Sequence, residues 1–196
     1  HEELLALGGT YRDLFETQFR QAIDYETKPA LNIDVLSSSH DVRRITEADI
    51  SDIYALCKSN QKYFQYLNTA PTVESLTEII SRVPDGVDSS DKYLVGFYQK
   101  EHLVSVLELI TGYPEKNDAF IGWFMVDAEH QGAGLGRKLV ADVLAMLHDS
   151  GIREVRLGRV DGNPQSERFW RACGFADREL GYDTQDYHVT VMRRSI

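Results

Sequence analysis

The chain has 196 residues, 42% hydrophobic and 27% charged, a balance that can bury one core without disulfide or metal staples. A net charge of −10 argues against a nucleic-acid partner, which needs a basic footprint, and no run approaches the roughly 18 apolar residues of a membrane span. The first residues lack the basic and apolar regions of a signal peptide, and no histidine spacing suggests a metal site. Cys57 and Cys173 follow apolar residues at helical spacing and read as buried free thiols. They suit a reducing compartment, so the expected location is cytoplasmic, with neither membrane nor nucleic acid as partner.

In chain order, residues 1–40 read as a helical extension. Thr10 can cap a helix with Asp13 at N3, and Tyr11, Leu14, Phe15, Phe19, Ala22 and Ile23 share one face up to Pro29. That face must pack on the main domain or on a partner chain, which leaves a homodimer open. The main domain spans 41–196. Val42 to Ile45 predicts a strand, and Thr46 caps a helix with Asp49 at N3 and Ile50, Ile53, Tyr54 and Cys57 inward. A second helix runs from about Thr72 to Val83. Tyr63, Phe64 and Tyr66, between them, either line a pocket or fill core.

After a polar loop from Pro84 to Lys92, Tyr93 to Gln99, Leu103 to Thr111 and Ala119 to Val126 predict strands. A long helix carries Leu135, Leu139, Val140, Val143, Leu144 and Leu147 on one face and stops at Gly151. Glu154 to Arg159 is the next strand. Asn163 then caps a helix with Pro164 at N1 and Gly174 at C′. Ala176 to Tyr182 and Tyr187 to Arg193 close the chain as strands. The sum is a mixed α/β sheet with a parallel crossover from Val126 to Val155.

The turn QGAGLG, Gln131 to Gly136, joins a buried strand to an amphipathic helix. Its glycines admit close backbone approach, and the free N–H groups of the new helix favour a phosphate or pyrophosphate. Arg137 and Lys138 stand in the first turn, where the dipole disfavours cations unless an anion lies between. A P-loop is excluded because Gly-Arg-Lys stands where Gly-Lys-Ser/Thr is needed. A dinucleotide fingerprint fits poorly, since Arg137 occupies the place of its last glycine.

These residues resemble the Q/R-x-x-G-x-G/A motif of the GNAT family of N-acetyltransferases. Asn163 to Phe175, NPQSERFWRACGF, is similar to that family's later N-x-x-A/S-x-x-F-Y-x-x-x-G-F motif, in the expected order. The resemblance covers about Val42 to Ile196. It implies an acyl-CoA N-acyltransferase fold, with a central, mostly antiparallel sheet flanked by helices, and acetyl-CoA as co-substrate. It further implies that Gln131, Gly132, Ala133, Gly134, Leu135 and Gly136 hold the pyrophosphate, with Arg137 adjoining. Phe124, Met125 and Val126 would pair with the pantetheine arm, which needs the sheet to open after this strand. Asn163 and Phe169 would lie beside the cofactor, although Asn163 is equally explained as a plain helix cap.

The activity so implied is transfer of an acetyl group to a primary amine of a small molecule or peptide by direct attack; a non-catalytic acyl-CoA-binding module is the alternative. Two positions depart from the pattern. Trp170 stands where many members have a tyrosine acid, and an indole N–H is a donor that does not give up its proton, so Trp170 reads as a packing residue. Tyr182 or Tyr187 would take over as acid. The strand before the glycine turn offers no titratable side chain from Ile121 to Val126, so the base falls to Glu108. Facing inward in its apolar run, Glu108 would be tuned by desolvation; facing outward, it would be an ordinary strand glutamate. Asp118 and water-mediated proton loss stay open, and His130 beside the turn is expected to face solvent.

Overall fold

The computed structural model describes residues 31–177, 181–183 and 187–196. The helix expected in the N-terminal extension lies outside them. The helices are α1 (Ile50–Ser59), α2 (Gln61–Tyr66), α3 (Val73–Ser81), α4 (Leu135–Asp149) and α5 (Pro164–Ala172). The strands are β1 (Asp41–Arg44), β2 (Lys92–Gln99), β3 (His102–Thr111), β4 (Asp118–Val126), β5 (Glu154–Val160), β6 (Ala176–Asp177), β7 (Tyr182–Asp183) and β8 (His188–Ser195). Among the described residues they form one sheet in the order β1-β2-β3-β4-β5-β8-β6, with β7 also paired to β8. All pairings are antiparallel except β4 with β5, the crossover that α4 makes.

Helices cover both faces of the sheet, which is why β2 is buried along almost its whole length and reads as a continuous apolar run. On one face, Leu139, Val143 and Leu147 of α4 pack on Val155, Leu157 and Leu109. On the other, Ile53, Leu56 and Cys57 of α1 and Leu76 of α3 pack on Leu94, Val106, Trp123 and Met125. Ahead of β1, Leu36 is fully buried in the first of these clusters, and the Leu31 N–H donates to the Tyr93 hydroxyl at 3.0 Å.

Local signals act as their chemistry requires. Asp49 reaches back to the Thr46 N–H at 2.8 Å, and Thr72 caps α3 by accepting from the Ser75 N–H. The tyrosine-rich stretch 61–66, for which the sequence predicts no element, is a short helix, α2, with Tyr63 and Phe64 packed against the core cluster under α1. Of the strand expected from Ala176 to Tyr182, the described residues show its two ends, β6 and β7, both paired to β8; residues 178–180 lie outside them. The last strand extends on to Ser195, where it still pairs with Glu154.

Candidate active site

The parallel ladder between β4 and β5 begins at Asp118 with Glu154 and ends at Ile121 with Leu157. Beyond it, β4 stays on β3 through Val126 with Ser105, while β5 stays on β8 through Val160 with Val189. The two strands therefore part. Gly122 to Val126 present a backbone edge with no strand partner on the β5 side among the described residues, and Phe124, Met125 and Val126 lie along it. Two carbonyls at the end of β4 are already engaged by side chains. Met125 accepts from the buried Ser105 hydroxyl at 2.8 Å, and Val126 accepts from Asn60 Nδ2 at 3.1 Å and Gln131 Nε2 at 2.8 Å.

Gln131 is thus a brace as much as the start of a turn. Its amide also donates to Asn60 Oδ1 at 2.8 Å and accepts from Gln165 Nε2 at 3.0 Å, tying α1, β4 and α5 together across the gap. Gly132 and Gly134 have φ of 85° and 88°, which L side chains rarely adopt, and a Cβ on either would meet open space. Ala133 between them is exposed. The first α4 bond runs from the Lys138 N–H to the Gly134 carbonyl at 3.1 Å, so the N–H groups of Leu135, Gly136 and Arg137 precede it. Gly136 serves a different need: a Cβ there would lie 3.0 Å from the Phe169 ring and 3.3 Å from Val126, so its absence lets α4 close on α5. Arg137 is exposed at the mouth. Lys138 turns away, pairing with Asp142 at 2.7 Å and donating to Ser38. The first-turn cations thus do not act as a pair, because an acidic partner one turn on satisfies Lys138.

Asn163 is buried and accepts from the Ser166 N–H at 3.0 Å, the geometry of a helix cap. Phe169 stacks on Phe124 at 5.7 Å, making one wall of the gap. Trp170, 7% exposed, meets Phe124, Phe169 and Phe175 edge-on or tilted. It is a packing residue, as its chemistry suggests. Cys57 and Cys173 are free and buried, and burial pushes their thiols up to about 12 and about 11.

Glu108 faces the α1–α3 side of the sheet, opposite Leu94 and Trp123. Its side chain is 17% exposed and pairs with Lys92 at 3.0 Å, which is neither the bare desolvated carboxyl nor the solvent-facing glutamate that the sequence allows. Tyr63 of α2 lies beside it. Burial first, then the neighbouring Tyr187, Cys57 and Glu108, push the Tyr63 phenol above its ordinary range. Glu108 and Tyr187, from two further segments, thus lie near enough to Tyr63 for their charge to act on it. Tyr187 is half-buried just before β8; the side chain of Tyr182 lies outside the described residues.

The other candidates sit apart. Asp118 starts the nine-residue β4, roughly 26 Å of strand from Val126. Burial pushes its carboxyl up to about 6, with Arg156 opposing at 3.0 Å. His130 pairs with Asp127 at 2.9 Å. Burial alone would raise the Asp127 carboxyl, but hydrogen bonds from His130, Ser59 and the Glu129 N–H outweigh it and hold it below the usual range. Among the described residues no cluster of ligating side chains could hold a metal ion, and no helix is long and apolar enough to cross a membrane.

Residues 53–175 match the acetyltransferase (GNAT) family. The chain belongs to that family. It is 40% identical over 58 residues to an aminoglycoside N(6′)-acetyltransferase type 1 of Stenotrophomonas maltophilia; that stretch spans 30% of this chain and 37% of the relative's length. An acetyltransferase from Thermus thermophilus superposes with a TM-score of 0.67 at 24% identity, covering 83% of this chain and 99% of the other. The PaiA N-acetyltransferase of Thermoplasma acidophilum, solved in complex with coenzyme A, gives 0.59 at 17% identity, covering 81% and 99%. These likenesses establish a GNAT fold.

Three residues beside the parted strands are not singled out in the sequence. Asn60, which closes the end of β4, has no local signal. Lys92 is a lone charge opening an apolar strand. Gly122 is a glycine inside a buried run, a pattern that marks a bulge or close approach and would have pointed to the place where the strands part.

Proposed function

We propose that this GNAT protein transfers an acetyl group from acetyl-CoA to a primary amine of a small molecule or peptide. The observation that carries the proposal is the early end of β4–β5 pairing at Ile121 and Leu157, on the strand that leads into a glycine turn with open space at Gly132 and Gly134. A free strand edge suits an amide-bearing pantetheine arm, and N–H groups at a helix start suit a pyrophosphate. Phe124 to Val126 are assigned to the first. Gln131 to Gly136 with Arg137 take the second, and Asn163 and Phe169 flank the arm.

Bound acetyl-CoA would bring an activated thioester carbonyl to the gap. The chain's own residues have three tasks. An amine with pKa about 10.4 is neutral at pH 7 only at a cost of roughly 4–5 kcal/mol, so a base is needed. Glu108 takes that proton before attack, which frees the nitrogen lone pair to bond to the acyl carbon; the second proton that nitrogen sheds on collapse balances the one given to the sulfur. A backbone N–H near Val126 polarises the carbonyl. As the C–S bond breaks, the Tyr187 hydroxyl supplies a proton to the sulfur. The acceptor cleft lies on the Glu108 side, and an acidic protein attracts cationic amines to it. The free thiols of Cys57 and Cys173 suit a cytoplasmic setting.

A second reading, an acyl-CoA-binding module without turnover, is favoured by one observation: Trp170 fills the position of the usual acid and is packed into the core. Thiol release from acetyl-CoA across a panel of amines separates the two. Release that depends on an amine supports the enzyme. Tight coenzyme A binding with no release supports the module, and absence of coenzyme A binding overturns both.

A further inference from the structure

Lys92 opens β2 with only 6% of its side chain exposed. An ammonium so deeply buried needs an acceptor for each of its three N–H donors. It finds them in the carbonyls of Ile79 and Arg82 and in Glu108 Oε1 at 3.0 Å. The Ile79 carbonyl lies in the last turn of α3, where it has no intrahelical donor and sits at the negative end of the helix dipole, and Arg82 is the residue that ends the helix. Lys92 and Glu108 are diagonal neighbours on one face, since Lys92 pairs with Ile110 and Leu94 pairs with Glu108.

The hold on Glu108 is one-sided. Oε1 is taken, while Oε2 hangs over Gly122: a Cβ on Gly122 would collide with Oε2 and lie 3.0 Å from Cδ. Gly122 is the extra residue of a bulge, because Glu108 faces Trp123 while the next residue, Leu109, faces Ile121. It is exposed, and it is the first β4 residue past the last β4–β5 pair. A carboxylate oxygen thus stands over bare backbone at the point where the strands part.

We infer that Lys92 is a positioning residue: anchored on the end of α3, it clamps one oxygen of Glu108 and leaves the other over Gly122, where the acceptor amine reaches the gap. The inference rests on the acetyltransferase reading with Glu108 as base. Lys92 itself has no donor to spare for substrate, so it acts only through Glu108.

The test uses the whole chain carrying Lys92→Met, and separately Gly122→Ala. Lys92→Met is expected to lower kcat at pH 7 about 10- to 100-fold, the range a displaced catalytic group costs, with coenzyme A affinity unchanged. Removing the cation also favours the protonated carboxyl, so the acid limb of the kcat/KM profile moves to higher pH and the loss shrinks in alkali. In a Glu108→Gln background Lys92→Met adds no further loss. Carbon-13 NMR of the labelled Glu108 carboxyl reads the clamp without turnover: its titration moves alkaline in Lys92→Met. An unchanged titration, or an unchanged pH profile in a folded variant, overturns the inference. If Lys92→Met does not fold, Gly122→Ala decides. Its backbone is exposed and its added methyl displaces the held carboxylate, so kcat falls with coenzyme A binding intact; wild-type kcat overturns the inference. A wild-type protein that releases no thiol with any amine sinks the acetyltransferase reading, while the carboxyl titration still judges the clamp.

Discussion

Two regions border the place where β4 and β5 part, and they are made differently. The turn from Gln131 to Gly136 is a backbone device, contiguous in sequence, in which two positive-φ glycines and a helix start create donors without any particular side chain. The Glu108 region is a side-chain device. It draws Lys92 from β2, Glu108 from β3, Gly122 from β4, Tyr63 from α2 and Tyr187 from the segment before β8. A local backbone device is stable to drift elsewhere in the chain and suits an invariant ligand part such as a diphosphate. A device assembled from five segments can be altered one side chain at a time, which suits an acceptor that differs among relatives.

The contrast can be broken from either side. The largest expected effect is on the shared wall: Trp170→Ala removes the hub of the Phe124, Phe169 and Phe175 cluster and should cost about 3–5 kcal/mol in urea unfolding. Trp170→Phe should keep kcat within about twofold, because no proton passes through the indole; a large loss of kcat in that folded variant would restore Trp170 to the chemistry. Glu108→Gln should lower turnover about 100-fold, the usual scale for a general base, and leave coenzyme A affinity within about twofold by calorimetry. Undiminished turnover would remove Glu108 from the mechanism.

Gly134→Val should do the reverse. A β-branched residue at φ of 88° strains the turn by roughly 1–2 kcal/mol, so coenzyme A binds about tenfold more weakly while the Glu108 carboxyl titrates as before. Equal affinity would mean that the turn is not the diphosphate site. The smallest effect concerns Asp118, on the far end of β4. Its carboxyl is raised in the folded state from 3.8 to about 6, so the stability it contributes is full below pH 3.8 and is lost as pH rises through about 6. Asp118→Asn should therefore melt with a flatter pH dependence between about pH 4 and 7 than the parent, with acetyl transfer unchanged. Parallel melting curves would discount the burial of Asp118, and lost activity would tie that end of the strand to the site.

Much of this architecture was legible before the fold was known. The period of apolar residues placed α4 and α5, the caps at Thr46 and Asn163 marked helix starts, and the apolar run before Gln131 marked the central strand, because these features act over four or five neighbouring residues. The QGAGLG turn was legible for the same reason: the N–H donors proposed to hold the diphosphate are its own. Glu108 could be named as the best carboxylate, but its surroundings could not. Whether it faced core or solvent, and that Lys92 would meet it, depends on strand register, and a shift of one residue would turn it to the other face. The bracing of Val126 by Asn60 likewise arises from a contact that no local pattern announces. Local propensity and capping are properties of adjacent residues; a catalytic arrangement is a property of distances, and only folding sets those.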